Sequence, residues 1–156
     1  MDPRAATPRT PPLPPPLLVV LFFAVGYAAH RVHPSPLLGG DLNLIPALWL
    51  SLAGLLLFLA ALRALRKAGV SPNPYKLPAT LVTTGPYLRS RNPIYLAFAC
   101  LYLGATCLLN SVWPLALFPL MIVAMNRVVI AREEAALRAR FGDDYRAYAA
   151  RTRRWI

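Results

Sequence analysis

Apolar residues are concentrated in four runs, at about residues 17–29, 44–62, 94–109 and 112–130, and polar residues fill the segments between them. Charged residues flank these runs instead of recurring within them, which is not the pattern of the amphipathic helices of a soluble domain. The second and fourth runs are close to the roughly 20 residues that a helix needs to cross a hydrocarbon core of about 30 Å. The pattern therefore predicts an all-α integral membrane protein with four transmembrane helices.

The first run is the shortest, and it needs flanking residues to cross the membrane. Basic residues before it and small residues after it also fit a cleaved signal peptide. Because three further runs follow, we interpret it as a retained first helix. Residues 1–16 hold seven of the seventeen prolines, so they are predicted to form a disordered tail, and residues 17–156 to form one membrane domain.

The third and fourth runs are separated only by Asn110 and Ser111, which predicts a short antiparallel helical hairpin. Residues 131–150 then show an apolar stripe with helical spacing. Gly142 and Asp143 interrupt this stripe in the way that a C-terminal glycine followed by a new N-cap does. We expect two short cytoplasmic helices after the fourth span.

The chain has 156 residues and a formal charge of +11, although only 15% of its residues are charged. A basic chain suggests nucleic acid as a partner, but these cations flank apolar runs, and the positive-inside rule explains them better. With four spans they gather on one side, which makes both termini and the loop before the third span cytoplasmic. The loop and its approach carry Arg63, Arg66, Lys67, Lys76, Arg89 and Arg91.

Residues that usually support metal binding or nucleophilic catalysis are poorly placed. His30 and His33 have no third ligand nearby, so no metal site is predicted. Cys100 and Cys107 are seven residues apart in one predicted helix, about 10 Å and so too far for a disulfide. No serine or cysteine has a histidine on its own side of the membrane to activate it.

The loop segment TTGPYLRSRNPIYL, residues 83–96, carries more hydrogen-bonding and aromatic side chains than a connection between helices needs. It emerges on the same face as the segment after the fourth span. A small molecule with both a cation and an anion would suit the side chains brought together there. A lipophilic second substrate can enter from the bilayer, and an in-line displacement, which needs mainly positioning, fits such a site. These side chains are Tyr87, Arg89, Arg91, Asn92, Tyr95, Arg132, Glu133 and Glu134.

Residues 73–96 (NPYKLPATLVTTGPYLRSRNPIYL) and 132–156 (REEAALRARFGDDYRAYAARTRRWI) together resemble the isoprenylcysteine carboxyl methyltransferase family. The resemblance is greatest to its short bacterial members, which are related to phospholipid methyltransferases. It implies S-adenosyl-L-methionine as cofactor, a pocket on the soluble side and a bacterial inner membrane as location. The matching elements are Arg91, Asn92, Pro93 and Tyr95, then Glu133 and Glu134, then Phe141, Gly142 and Tyr145.

The predicted site combines both lines of argument, with Arg91 as the catalytic residue. Plainer interpretations stay open: Gly85 can serve only a turn, Tyr87 and Tyr95 can be interfacial aromatics, and the two glutamates can be solvated charges. Arg89 is interpreted as a membrane anchor. The predicted cofactor-binding residues are Gly85, Tyr87, Arg91, Asn92, Pro93, Tyr95, Arg132, Glu133 and Glu134.

The sequence thus predicts a methyltransferase that uses S-adenosyl-L-methionine on a lipophilic substrate, such as an isoprenylcysteine-like carboxylate or a related lipid. Asn92 stands where eukaryotic relatives have histidine, and asparagine cannot act as a base. A carboxylate acceptor needs no base, whereas a protonated amine must lose its proton elsewhere. The alternatives are a phospholipid amine N-methyltransferase and a non-catalytic membrane subunit or small-molecule carrier. The expected partners are membrane lipids and a lipidated or lipophilic substrate, not nucleic acid.

Overall fold

The computed structural model describes residues 13–73 and 78–156, and this part of the chain is helical. A π-helical segment, Met125–Ile130, joins the fourth helix to the fifth, so that a helical stretch with one kink, at Gly142, runs over Val112–Arg151. Two 3₁₀ turns, Gly40–Asn43 and Gly85–Leu88, precede the second and third helices. The helices are α1 Pro15–Val32, α2 Leu44–Lys67, α3 Pro93–Leu109, α4 Val112–Ala124 and α5 Ala131–Arg151.

Within the described residues, three helical stretches are long and apolar enough to cross a membrane: Pro15–Val32, Asp41–Lys67 and Val112–Arg151. The apolar part of the last stretch is residues 112–130, and the polar α5 lies beyond it. With 17 residues α3 is also apolar but shorter, about 25 Å long at 1.5 Å per residue. Large apolar side chains such as Val25, Trp49 and Leu56 are exposed, as expected of helices that face lipid. The predicted all-α membrane fold is confirmed.

The first two helices are longer than their predicted spans. The first helix begins at Pro15, inside the stretch assigned to the tail, because proline is accommodated in the first turn of a helix. The second helix continues to Lys67, past the end of its apolar run. Residues 1–12 of the predicted tail, and Lys76 in the loop, lie outside the described residues. Inside α5, Gly142 has a φ of 52°, and two helical parts meet there at the predicted kink.

The most extensive helix contacts join α2 to α3 and α1 to α4. Between α2 and α3 the backbones approach closely at Gly104, where a Cβ would lie 2.9 Å from the backbone nitrogen of Ser51. Small residues allow such approaches between membrane helices. Tyr102, Met121 and Ile130 are fully buried in the core formed by α1, α3 and the long last helix.

Asn110, between α3 and α4, closes one end of the bundle. It adopts the left-handed conformation with a φ of 51° and forms the predicted hairpin with Ser111, which caps α4 by accepting from the amide of Trp113. The Asn110 side chain accepts from the amides of Leu37 and Leu38 at 3.1 and 2.9 Å and donates to the Leu38 carbonyl at 2.9 Å. This region is called the Asn110 end below. The start of α1, the end of α2 and the loop before α3 gather at the opposite end.

Candidate active site

A cavity of about 780 Å³ lies at the end of the bundle opposite Asn110, between α2, α3, α5 and the loop before α3. Its volume is within the range of small-molecule sites. Part of its wall is apolar and consists of Phe58 and Leu62 from α2, Phe98 from α3 and the prolines at the start of α1. The rest of the wall combines further apolar residues, among them Leu65 and Val70, with charged and aromatic side chains. The cavity therefore joins a polar region to the region of the membrane-spanning helices.

Most of the predicted site residues line this cavity, and Gly85 does not. Gly85 has a φ of 62° at the start of a 3₁₀ turn, a conformation that glycine adopts without steric cost. A Cβ there would only reach ordinary contact distance, 3.6 Å, from the Cβ of Ala64. In this structure Gly85 shapes the turn, which is the plainer of its two interpretations. The predicted residues that line the cavity are Tyr87, Arg91, Asn92, Pro93, Tyr95, Arg132, Glu133 and Glu134.

Glu134, in the first turn of α5, is only 2% exposed and is surrounded by guanidinium groups. Arg154 donates two hydrogen bonds to it, from Nε to Oε1 at 3.1 Å and from Nη2 to Oε2 at 2.6 Å. Arg91 and Arg138 each place an Nη2 atom 3.3 Å from its carboxylate. A buried carboxylate needs such partners to offset its lost hydration. The oxygens of Glu134 are thus occupied by partners from the chain itself.

Glu133, the preceding residue, has a different environment. It accepts a hydrogen bond of 2.6 Å from the Tyr95 hydroxyl and forms no ion pair within the part of the chain that the structure describes. Burial raises the pKa of Glu133 to about 7, while the hydrogen bond from Tyr95 acts in the opposite direction. A cavity carboxyl without a cationic partner is suited to hold a cation or to accept a proton.

Arg91 and Asn92, two neighbouring residues of the loop, both line the cavity and both contact the C-terminal part of the chain. Arg91 donates through Nη1 to the Ala149 carbonyl at 3.5 Å, and its Nε is buried without a partner. The Asn92 side chain donates to the Arg154 carbonyl at 3.0 Å. Asn92 thus anchors the C-terminal segment through its amide nitrogen, whereas Arg91, which lines the cavity, has one donor without a partner among the described residues.

The last five residues, 152–156, cross the loop and are called the C-terminal strap. Ser90 and Arg153 form a parallel bridge, and the Arg91 amide donates to the Arg153 carbonyl at 2.9 Å. At the far end of the strap, the Trp155 indole donates to the Asn126 side chain at 3.2 Å. The strap therefore ties the loop before α3 to α5 and to the π-helical segment.

Comparison with known proteins identifies the family. Residues 42–144, well over half of the chain, match the phospholipid methyltransferase family. The chain belongs to the phospholipid methyltransferase family. A 35-residue stretch is 49% identical to an uncharacterized protein of Haemophilus influenzae (strain ATCC 51907 / DSM 11121 / KW20 / Rd) and covers 22% of this chain. It spans 56% of the length of that relative. No solved structure matches the chain.

The part that matches the phospholipid methyltransferase family includes Arg91, Glu133 and Glu134 but ends before Tyr145 and the strap. Sequence reasoning missed Arg154, which provides the shortest ion pair to Glu134. It stands in a basic C-terminus, where the positive-inside rule accounts equally for every cation. Tyr145 and Tyr148 also line the cavity, although neither is among the predicted cofactor-binding residues.

Proposed function

We propose that this protein is a methyltransferase that uses S-adenosyl-L-methionine to methylate a lipophilic substrate at the cytoplasmic face of the membrane. The observation that carries the proposal is that one cavity combines charged and aromatic side chains with an apolar wall formed by the spanning helices. Membership of the phospholipid methyltransferase family supports it.

The residues of the polar region fit the charges of the proposed cofactor, which has an ammonium, a sulfonium and a carboxylate group. Glu133 offers a carboxyl group without an ionic partner, and the rings of Tyr87 and Tyr95 line the same cavity as possible faces for a cation. Arg91 offers a planar donor for a carboxylate. The bound cofactor would supply an electrophilic methyl group, and these residues would orient it.

The apolar region fits the hydrocarbon part of the acceptor. Phe58, Leu62 and Phe98 belong to helices α2 and α3, so a chain bound against them is withdrawn from water at the membrane boundary. Holding both partners in line and excluding water can supply much of the acceleration of a displacement reaction. The protein would therefore act mainly through positioning.

Two classes of acceptor remain within the proposal. The resemblance to isoprenylcysteine carboxyl methyltransferases favours a carboxylate, which needs no base. A phospholipid amine is the second candidate, and one observation favours it. Glu133 lies in the cavity with a pKa of about 7 and can take the proton of an ammonium group, which Asn92 cannot do.

Calorimetric titration of the purified protein with S-adenosylhomocysteine tests the proposal. We expect micromolar affinity, and a decrease of at least tenfold, about 1.4 kcal/mol, for Glu133→Gln. Asp144→Asn is the matched control, because Asp144 is an exposed carboxylate on the same helix and should leave affinity unchanged. Absence of binding in several detergents would instead favour a non-catalytic subunit or carrier. Methyl transfer to a prenylcysteine or to phosphatidylethanolamine then identifies the acceptor.

The proposed topology places both ends of the chain in the cytoplasm. Pro14 to Pro16 at the start of α1 and Glu134 on α5 line the same cavity, so these parts lie at one end of the bundle. That end carries most of the cations, which favours the cytoplasmic side. A reporter fused after Ile156 should show cytoplasmic activity, and a periplasmic signal would overturn the topology.

A further inference from the structure

Two residues that line the cavity each carry a donor without a hydrogen-bond partner in the part of the chain that the structure describes. These donors are the Nε of Arg91 and the hydroxyl of Tyr145, both buried, and Tyr145 is only 1% exposed. Buried polar groups in native proteins are nearly always hydrogen-bonded, and the exceptions need an explanation. A ligand that fills the cavity would provide one.

Tyr145 reaches the cavity because of the kink at Gly142, which redirects the end of α5. Its ring packs edge-on against that of Tyr148, with 6.2 Å between the centroids. The Tyr148 hydroxyl donates to the Tyr87 carbonyl at 2.7 Å. The two tyrosines thus share one aromatic pair, but only Tyr148 uses its hydroxyl within the protein.

The charges near Tyr145 indicate what the free hydroxyl would bind. Arg91, Arg138, Arg154 and Glu134 all lie close enough to act electrostatically on it. Three positive groups against one carboxylate leave an excess of positive charge beside the cavity. Burial raises the pKa of Tyr145, so the hydroxyl is protonated and can donate at neutral pH.

We propose that the Tyr145 hydroxyl, together with Arg91 Nε, binds an anionic oxygen of the ligand, either a carboxylate or a phosphate. The inference deepens the proposed function, on which it rests for the identity of the ligand. Two sources offer this chemistry: the carboxylate of the methionine part of the cofactor, and the carboxylate or phosphate of the acceptor.

Tyr145→Phe tests the inference, because it removes only the hydroxyl and keeps the ring. We expect the ligand-free variant to unfold at the same temperature as the wild type or higher, since an unpartnered polar group is lost. Tyr148→Phe should unfold at a lower temperature, since it loses a bond within the protein. Tyr27→Phe, at the other end of α1 from the cavity, controls for the general effect of removing a hydroxyl.

Three ligands distinguish the sources: S-adenosylhomocysteine, 5′-methylthioadenosine, which lacks the amino-acid group, and dihexanoyl phosphatidic acid. If the cofactor provides the anion, Tyr145→Phe should weaken binding of S-adenosylhomocysteine at least fivefold and leave that of 5′-methylthioadenosine unchanged. If the acceptor provides it, only binding of the phosphatidic acid should weaken.

Unchanged affinity for all three ligands would overturn the inference, as would equal weakening for both nucleosides. If the wild-type protein does not bind S-adenosylhomocysteine, the proposed function fails. In that case the titration with phosphatidic acid alone decides whether Tyr145 binds an anion: weaker binding by Tyr145→Phe supports this role, and unchanged binding overturns it.

Discussion

The two polar ends of the helix bundle use their hydrogen-bonding groups in different ways. At the Asn110 end one neutral side chain makes three hydrogen bonds to backbone groups, and the Trp113 indole donates to the His33 carbonyl at 2.7 Å. At the cavity end a carboxylate, three guanidinium groups and several tyrosines meet. Among the described residues, three buried side-chain atoms have no partner: His30 Nδ1 on α1, and Arg91 Nε and Tyr145 Oη at the cavity.

Polar groups at the Asn110 end hold the protein together, whereas some of those at the cavity end remain without partners among the described residues. Asn110 directs its amide inward to the chain and so holds a loop and a hairpin together. The cavity end satisfies Glu134 in the same manner but leaves Glu133 without an ionic partner, although the two residues are adjacent. Incomplete pairing lowers the stability of the free protein, and it is expected where a ligand completes the pairing.

The largest expected effect concerns Glu134. Replacing it by Gln removes the buried charge that three arginines share, and removing one partner of a buried ion pair costs about 3–5 kcal/mol. Because Arg138 and Arg154 are partly exposed, we expect the lower part of this range, about 3 kcal/mol. Denaturant unfolding in micelles measures it.

The matched variant Glu133→Gln should not destabilise the protein at about pH 8, because it removes a carboxyl group whose pKa burial has raised. It should weaken cofactor binding instead. Equal loss of stability for both variants would show that the two carboxylates do not differ as proposed.

Asn110→Ala tests the other end of the bundle. It removes three hydrogen bonds. It also puts alanine in the left-handed conformation, which alanine adopts less readily than asparagine because it has no side-chain amide. Together these changes should cost about 2 kcal/mol of stability. Affinity for S-adenosylhomocysteine should not change at a temperature where the variant is folded. A loss of affinity comparable to that of Glu133→Gln would mean that the ends are not independent.

Arg91→Lys should reduce methyl transfer at least tenfold, about 1.4 kcal/mol, without loss of membrane insertion or yield. Lysine keeps the charge, but all its donors are on one nitrogen, so it lacks the planar fork with which Arg91 reaches Glu134 and the Ala149 carbonyl through different nitrogen atoms. Arg89→Lys is the control, since Arg89 is exposed and lies only two residues away. Full turnover in both variants would make Arg91 a simple anchor.

The smallest expected effect is a pH dependence of cofactor binding. A cationic ligand favours ionised Glu133, so a proton competes with it, and affinity should rise about threefold between about pH 6.5 and about pH 7.5. Tyr95 donates to the carboxyl group and Tyr87 lies near it, and tyrosine hydroxyls ordinarily ionise only at about pH 10, far above this range. The stability that protonated Glu133 contributes to the free protein is present at low pH and is lost as the pH rises through about 7. Glu133→Gln should abolish the dependence, which titrations in one buffer series can check.

Local sequence signals predict much of the fold, and they predict that the loop before α3 meets the segment after the fourth span. Apolar runs fixed the helices to within a few residues, and Asn110 and Gly142 marked the turn and the kink because few other residues tolerate a positive φ. The loop motif and the glutamate pair were expected to lie together because both leave the membrane on one face.

The roles of individual neighbours could not be predicted. Glu133 and Glu134 differ by about 100° on a helix, so only the packing of α5 decides which one meets the arginines. Arg153 and Arg154 follow Thr152, whose backbone is extended, and side chains alternate along an extended segment. Arg154 therefore meets Glu134, whereas Arg153 contributes its carbonyl to the Arg91 amide. These assignments arise from tertiary contacts between distant segments.

The π-helical segment Met125–Ile130 also determines in which direction around the helix axis the side chains that follow it point. A wider turn takes up about one more residue than an α-helical turn, and one residue corresponds to about 100° of rotation. The direction in which Glu133 and Glu134 leave the helix is therefore fixed by this turn, although none of its residues lines the cavity. Deleting one residue there would rotate both carboxylates away from the loop, although every residue of the site would still be present in the sequence. In this fold, helix register, as much as residue identity, determines whether a site exists.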